Sequence, residues 1–189
     1  MVKVGFIVEG DCEKMVLSSN AFSQFLQANN LVLVDEVINA RGKSNLNLPS
    51  TATLAQVLRD QGAQWIVVLR DADDMPCMTS VKQETIQADD IIVCIAVKEL
   101  EGWYLADSTT LSVIFRTTFF FECPEQELEP VEILKGQYIK YRGRGINDKK
   151  KFTNLMIGHG FTIENAAQHP NCSSANYFLT KLQTLASAN

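Results

Sequence analysis

The sequence predicts an α/β fold, a mainly parallel central sheet flanked by helices with a helical elaboration at its C-terminal end. Three observations predict it. Continuous apolar runs rich in β-branched residues recur at 2–8, 65–69 and 91–97. Segments with apolar residues at helical spacing lie between them. Each run stops at polar, acidic or glycine residues, so the alternation has clear edges. Strands covered on both faces read as unbroken apolar runs, and helices supply the crossovers that parallel neighbours require.

In chain order, 2–8 is the first strand. Gly10 then marks a tight turn, and residues 11–29 carry Met15, Val16, Phe22, Phe25 and Leu26 at the spacing of a single helix. The valine-rich run 31–38 is the second strand, and NARGKSNLN after it reads as a loop before a helix over about 50–61. Residues 65–69 form the third strand, 80–88 a helix, 91–97 the fourth strand and 101–108 a further helix. The aromatic stretch TTFFFE, an acidic stretch between Glu122 and Glu132 and a basic stretch follow. The expected organisation is an α/β core over 1–110 with an elaboration over 111–189 packed on the same domain.

A chain of 189 residues, 46% hydrophobic and 21% charged, has the composition of a soluble globular protein with one sizeable core. Its apolar runs fall far short of the roughly 20 residues a membrane span needs. Its N-terminus carries no long apolar signal region, so a cytoplasmic protein with no membrane partner is expected. Five scattered cysteines without a CxxC pair, and two histidines, point away from a zinc site or a disulfide framework. The net charge of -5 argues against indiscriminate coating of nucleic acid and leaves room for a local basic groove.

Parallel α/β sheets bind ligands at the carboxyl ends of their strands, so strand-terminating residues are the ones to collect. The first strand ends in VEGDCE, with Glu9, Gly10, Asp11 and Glu13. The third ends in RDADD, with Asp71, Asp73 and Asp74, and the fourth in KELEGW, with Lys98, Glu99 and Glu101. Carboxylates held together raise one another's pKa and call for bound cations. All-oxygen donors suit Mg²⁺ or Mn²⁺, hard ions that commonly hold a phosphate as well. Lys98, beside these acids, is a candidate for stabilising negative charge on a reacting phosphoryl group.

Glu9-Gly10-x-x-Glu13 after one apolar strand and Asp71-x-Asp73 after another resemble the catalytic core of the Toprim family, which includes topoisomerases, primases and overcoming-lysogenization-defect nucleases. KELEGWYLAD, from Lys98 to Asp107, is similar to the E-x-E-x-W-x-L-x-D signature of the DUF4276 group of Toprim-like proteins, often encoded near bacterial defence genes. CSSANYFL near the end is similar to that group's segment before its last helix. The resemblance implies a Toprim-like fold and a metal-dependent nuclease in a prokaryotic defence or genome-maintenance system. It also implies nucleic acid as substrate and a partner protein such as an ATPase encoded nearby. It makes Glu9 the general acid/base and also a metal ligand, with Asp71 and Asp73 as further metal ligands. Gly10 would allow close backbone approach, Glu13 would bind metal or orient a ligand, and Glu99 or Glu101 would complete a second metal position. The chain departs from family habit at Ala72, where many relatives have arginine, and at Asp74, an added carboxylate.

Seven of the 17 Lys and Arg residues fall between Lys135 and Lys151. Lys140, Arg142, Arg144, Lys149, Lys150 and Lys151, with Tyr138 and Tyr141 interleaved, have the make-up of a segment that grips phosphates and stacks on bases. A solvated loop that offsets the acidic stretch is the plainer account of the same charges. Trp103 and Leu105 read as core, and helix capping is the plainer account of Glu99 or Glu101. A phospho-receiver reading of DADDMP fails, because its acceptor position falls on Ala72. A Toprim-like module that binds nucleotide, nucleic acid or a protein without cleaving anything remains as the alternative, since fold does not establish activity.

Overall fold

The computed structural model describes residues 1–73, 75, 77–85 and 88–187. Its first half holds β1 (Val2–Val8), α1 (Asp11–Leu17), α2 (Asn20–Ala28), β2 (Leu31–Leu33), β3 (Ile38–Asn39), a 3-10 turn (Lys43–Leu46), α3 (Leu48–Asp60), β4 (Trp65–Asp71), α4 (Met78–Glu84) and β5 (Ile91–Ala96). Helices α5 (Glu101–Ala106), α6 (Ser108–Phe115), α7 (Pro130–Arg142), α8 (Lys149–Gly158), α9 (Ile163–Ala167) and α10 (Ser173–Ser187) complete it. The sheet runs β2-β1-β4-β5, with β3 also beside β1, and every pairing is parallel.

Where the elements differ from the sequence reading, a polar residue takes a cap or interrupts a strand. The helix expected over 11–29 breaks after Leu17, and the Ser19 hydroxyl accepts the Phe22 N–H at 3.2 Å to start α2. The strand expected over 31–38 is two pieces of one lane, β2 beside Val2 to Val4 and β3 beside Ile7 and Val8, because Asp35 and Glu36 interrupt it. The helix expected over 101–108 ends at Ala106. The fully buried Asp107 carboxylate accepts the Thr110 N–H at 2.9 Å and begins α6. The helix expected over 80–88 is α4, ending at Glu84, and Ile86 and Gln87 lie outside the described residues.

Strand side chains alternate between two cores. Ile7, Ile66, Val68, Val93 and Ile95 pack with Leu58 of α3 and Val81 of α4 on one face. Helix α3 lies so close to β1 that a Cβ on Gly5 would stand 2.8 Å from Leu58 Cδ1. Val4, Phe6, Val8, Val67, Leu69 and Cys94 face the larger core, which also takes Leu134, Phe152 and Phe178 from beyond residue 110. Trp103 and Leu105 are fully buried there. Trp103 Nε1 donates to Ser174 Oγ at 2.7 Å, which joins ELEGWYLAD to CSSANYFL. Among the described residues no helix is long and apolar enough to cross a membrane.

Candidate functional site

The chain leaves β1 toward β2 on one side and returns to β4 on the other, so a crevice opens between the carboxyl ends of β1 and β4. Glu9 follows β1 and Asp71 closes β4, and Glu9 Oε2 accepts the Asp71 N–H at 3.3 Å. Helix α1 starts beside them. Glu13, in its first turn, folds back to accept the Gly10 N–H at 3.0 Å. Gly10 itself is extended (φ -141), and a Cβ there would press on the Glu13 carboxylate at 3.0 Å. The Asp71 carboxylate accepts the Leu100 N–H at 3.0 Å, which brings the first turn of α5 and Glu101 into the crevice. Lys149, first residue of α8, enters from the opposite wall because α8 packs on α1. Its Nζ lies 3.1 Å from Glu99 Oε1 and 3.5 Å from Glu101 Oε1. The resulting cleft has a volume of about 520 Å³.

Electrostatics single out the acids that face this space. Burial, then the charges of Glu13, Glu101, Glu9 and Glu99, hold the Asp71 carboxyl well above the usual carboxylate range. Burial, followed by Glu101 and Glu9, pushes Glu13 up to about 7. Glu9 is also raised, by burial first and by Asp73, against the Asp71 N–H that opposes the shift. Glu101, 3% exposed, is raised by burial even with Lys149 beside it. Burial works against the Lys149 charge, but Glu101, Glu99 and Asp71 outweigh it and leave its pKa above that of a free lysine. Cys12 lines the same cleft. Burial, with Glu101 and Glu13 adding, pushes its thiol up to about 11, which favours the protonated thiol.

Glu9, Glu13, Asp71 and Glu101 therefore share the cleft, with Glu99 at its edge. Asp73, left-handed at φ 50, does not line it and pairs with Lys43 at 2.8 Å. Asp74 lies outside the described residues. Lys98 takes a left-handed backbone (φ 63), its carbonyl accepts the Asp73 N–H at 2.8 Å, and its side chain does not line the cleft. Of the basic segment, Lys149 and Lys150 reach the cleft, Lys150 pairing with Asp11, while Lys140, Arg142, Arg144 and Lys151 do not line it. One expectation is corrected: Tyr138 is 2% exposed and packs edge-on against Phe152 at 6.2 Å, so it is no platform for a base. Leu134 and Tyr138 lie four apart on the buried face of α7, and Tyr141 stacks on Phe115 at 5.1 Å. Asn39, Arg41 and Gly42 also line the cleft, and they belong to the stretch that the sequence presents only as a loop. Its signal was the Arg-Gly-Lys run directly after a strand.

The donor chemistry fits Mg²⁺ or Mn²⁺: all oxygen, several carboxylates, and a buried Glu99 Oε2 with no hydrogen-bond partner. As they stand, no three His, Cys, Asp or Glu among the described residues are gathered closely enough to hold a metal ion. Lys149 stands among them instead. Fold and cleft together define an α/β protein with a carboxylate-lined crevice at the C-terminal edge of a parallel sheet. Comparison with protein-family models, with curated proteins and with solved structures returned no match.

Proposed function

We propose that the crevice is a Mg²⁺- or Mn²⁺-dependent phosphodiesterase site of Toprim type that acts on nucleic acid, in a prokaryotic defence or genome-maintenance setting. One observation carries this reading. Glu9 and Asp71, from neighbouring strand ends at the point where the strand order reverses, are in contact, and Glu13 and Glu101 close around them. Asp71, Glu13 and Glu101 would hold the cation, with Glu99 supplying its unpartnered oxygen. Such an ion, when bound, lowers the pKa of a coordinated water and neutralises phosphate charge. Glu9, whose carboxyl is raised above the ordinary glutamate range by burial first, would accept the proton of the attacking water and return it to the leaving oxygen. Lys150 and Arg41 both line the cleft and would face phosphates that flank the reacting one. No tyrosine lines the cleft among the described residues, which favours water over a tyrosine nucleophile.

A second reading, a Toprim-like module that binds nucleotide, nucleic acid or a protein such as an ATPase without cleavage, is favoured by Lys149, which already balances part of the cluster. Melting temperature separates the two. Binding to the folded state alone raises it. Millimolar Mn²⁺ is expected to raise it in the wild type and not in Asp71→Asn, and no rise in either selects the second reading.

A further inference from the structure

Lysines from other elements pair with acids around the crevice: Lys43 with Asp73, Lys150 with Asp11, and Lys149 with Glu99 and Glu101. Lys149 differs from the others in what it touches. The side chains of Asp73 and Asp11 are 32% and 47% exposed, whereas that of Glu101 is 4% exposed. Lys149 thus balances the buried acids, the same groups that would receive a cation. It does so incompletely, since Glu99 Oε1 takes the ammonium while Oε2 stays buried and unpartnered.

We infer that Lys149 is the cluster's own counter-cation and that it changes partners on binding: it leaves Glu99 and Glu101 when a divalent cation takes them, and turns its ammonium to a phosphate of the bound nucleic acid. The inference rests on the metal-dependent reading of the cleft. An ammonium and a divalent ion on the same two carboxylates repel strongly at such distances in a partly buried site. The lysine has both the anchor and the freedom to move. Asp148 caps α8 through the Lys150 N–H at 2.8 Å and the Lys151 N–H at 3.3 Å, which fixes the Lys149 backbone. Its side chain is 44% exposed, on a flexible four-carbon stem. The departure of Lys149 would also let the carboxylates close up on the ion. Each ligand then frees the partner of the other, so cation and polyanion binding are coupled with positive sign, and by linkage the factor is the same in both directions.

The test is calorimetric titration of Mn²⁺ into the full chain, with and without a phosphorothioate DNA oligonucleotide that resists cleavage. In the wild type the oligonucleotide is expected to tighten Mn²⁺ binding by roughly 5- to 150-fold, the ordinary range of coupling between sites. Lys149→Met should bind Mn²⁺ alone about fivefold or more tightly than wild type and lose most of that enhancement. Lys149→Gln, with a polar tip at this half-exposed position, serves in its place if the methionine variant does not fold. Equal Mn²⁺ affinity in wild type and variant overturns the exchange and leaves the metal site standing. Absence of Mn²⁺ binding in both overturns the metal reading and the exchange with it.

Discussion

The two edges of the sheet carry charge in opposite ways. Where the strands begin, Arg59 of α3 meets Asp90 just ahead of β5 through two hydrogen bonds, Nε to Oδ2 at 2.6 Å and Nη2 to Oδ1 at 2.8 Å. One cation serves one acid, and that hydrogen bond holds the Asp90 carboxyl below its usual pKa. Where the strands end, Glu9, Glu13, Asp71 and Glu101 face one cleft, Glu99 stands at its edge, and the pKa values of Glu9, Glu13, Asp71 and Glu101 move up. A matched pair needs nothing more and serves to hold α3 onto the sheet. At the acidic end burial raises the four acids first and neighbouring carboxylates add to it, the part that a bound cation would relieve, and raised acids in a cleft make that end the candidate site.

The largest expected effect breaks the comparison if it fails. In the proposed mechanism Glu9→Gln removes the proton-transferring group, and Mn²⁺-dependent cleavage of a labelled oligonucleotide should drop by about 10²- to 10⁴-fold with the melting temperature retained. Wild-type cleavage by this variant would make the acidic edge as passive as the Arg59 edge.

The next effect is on stability and has opposite signs at the two edges. Glu13 holds its proton up to about 7 when folded, against 4.5 for an ordinary glutamate. Between those values the folded protein binds more protons than the unfolded chain, so without metal stability falls as pH rises, by roughly 3 kcal/mol at most. Asp90 runs the other way: its contribution is present above the ordinary aspartate pKa of 3.8 and is lost as pH falls through its lowered value. Thermal melts in chelator between about pH 5 and 8 should show the decline in wild type and a flatter profile in Glu13→Gln. A decline of equal size in the variant would assign the slope to other groups.

The smallest effect sharpens the contrast. Arg59→Met should cost about 1 kcal/mol, the upper range for a partly exposed pair, and leave Mn²⁺ affinity unchanged. A shift in Mn²⁺ affinity would mean that the two edges communicate through the sheet.

Much of the cleft was legible because its first members sit next to the strongest local signals. Glu9 and Asp71 close apolar strands, and a parallel sheet puts strand ends at one edge, so their meeting followed from pattern alone. Lys149 was legible only as one member of a basic run. Its place in the cleft depends on α8 packing against α1, which brings it to Glu99 across 50 residues of chain. Tyr138 was misread for a related reason: the stretch around it looks uniformly basic, and only the helix α7 shows which side faces the core. The fully buried Asp107 of ELEGWYLAD caps a helix, a role that its neighbours in sequence do not distinguish from chemistry.

By itself the sequence determined the α/β class, the parallel strands and the acids at their ends, because strand period and strand termini are local properties of a few consecutive residues. Tertiary structure alone decided that the acids outnumber their cations within one cleft, that Lys149 stands among them and that Asp73 turns to Lys43. Charge balance is a sum over neighbours in space, and those neighbours come from segments that only packing brings together.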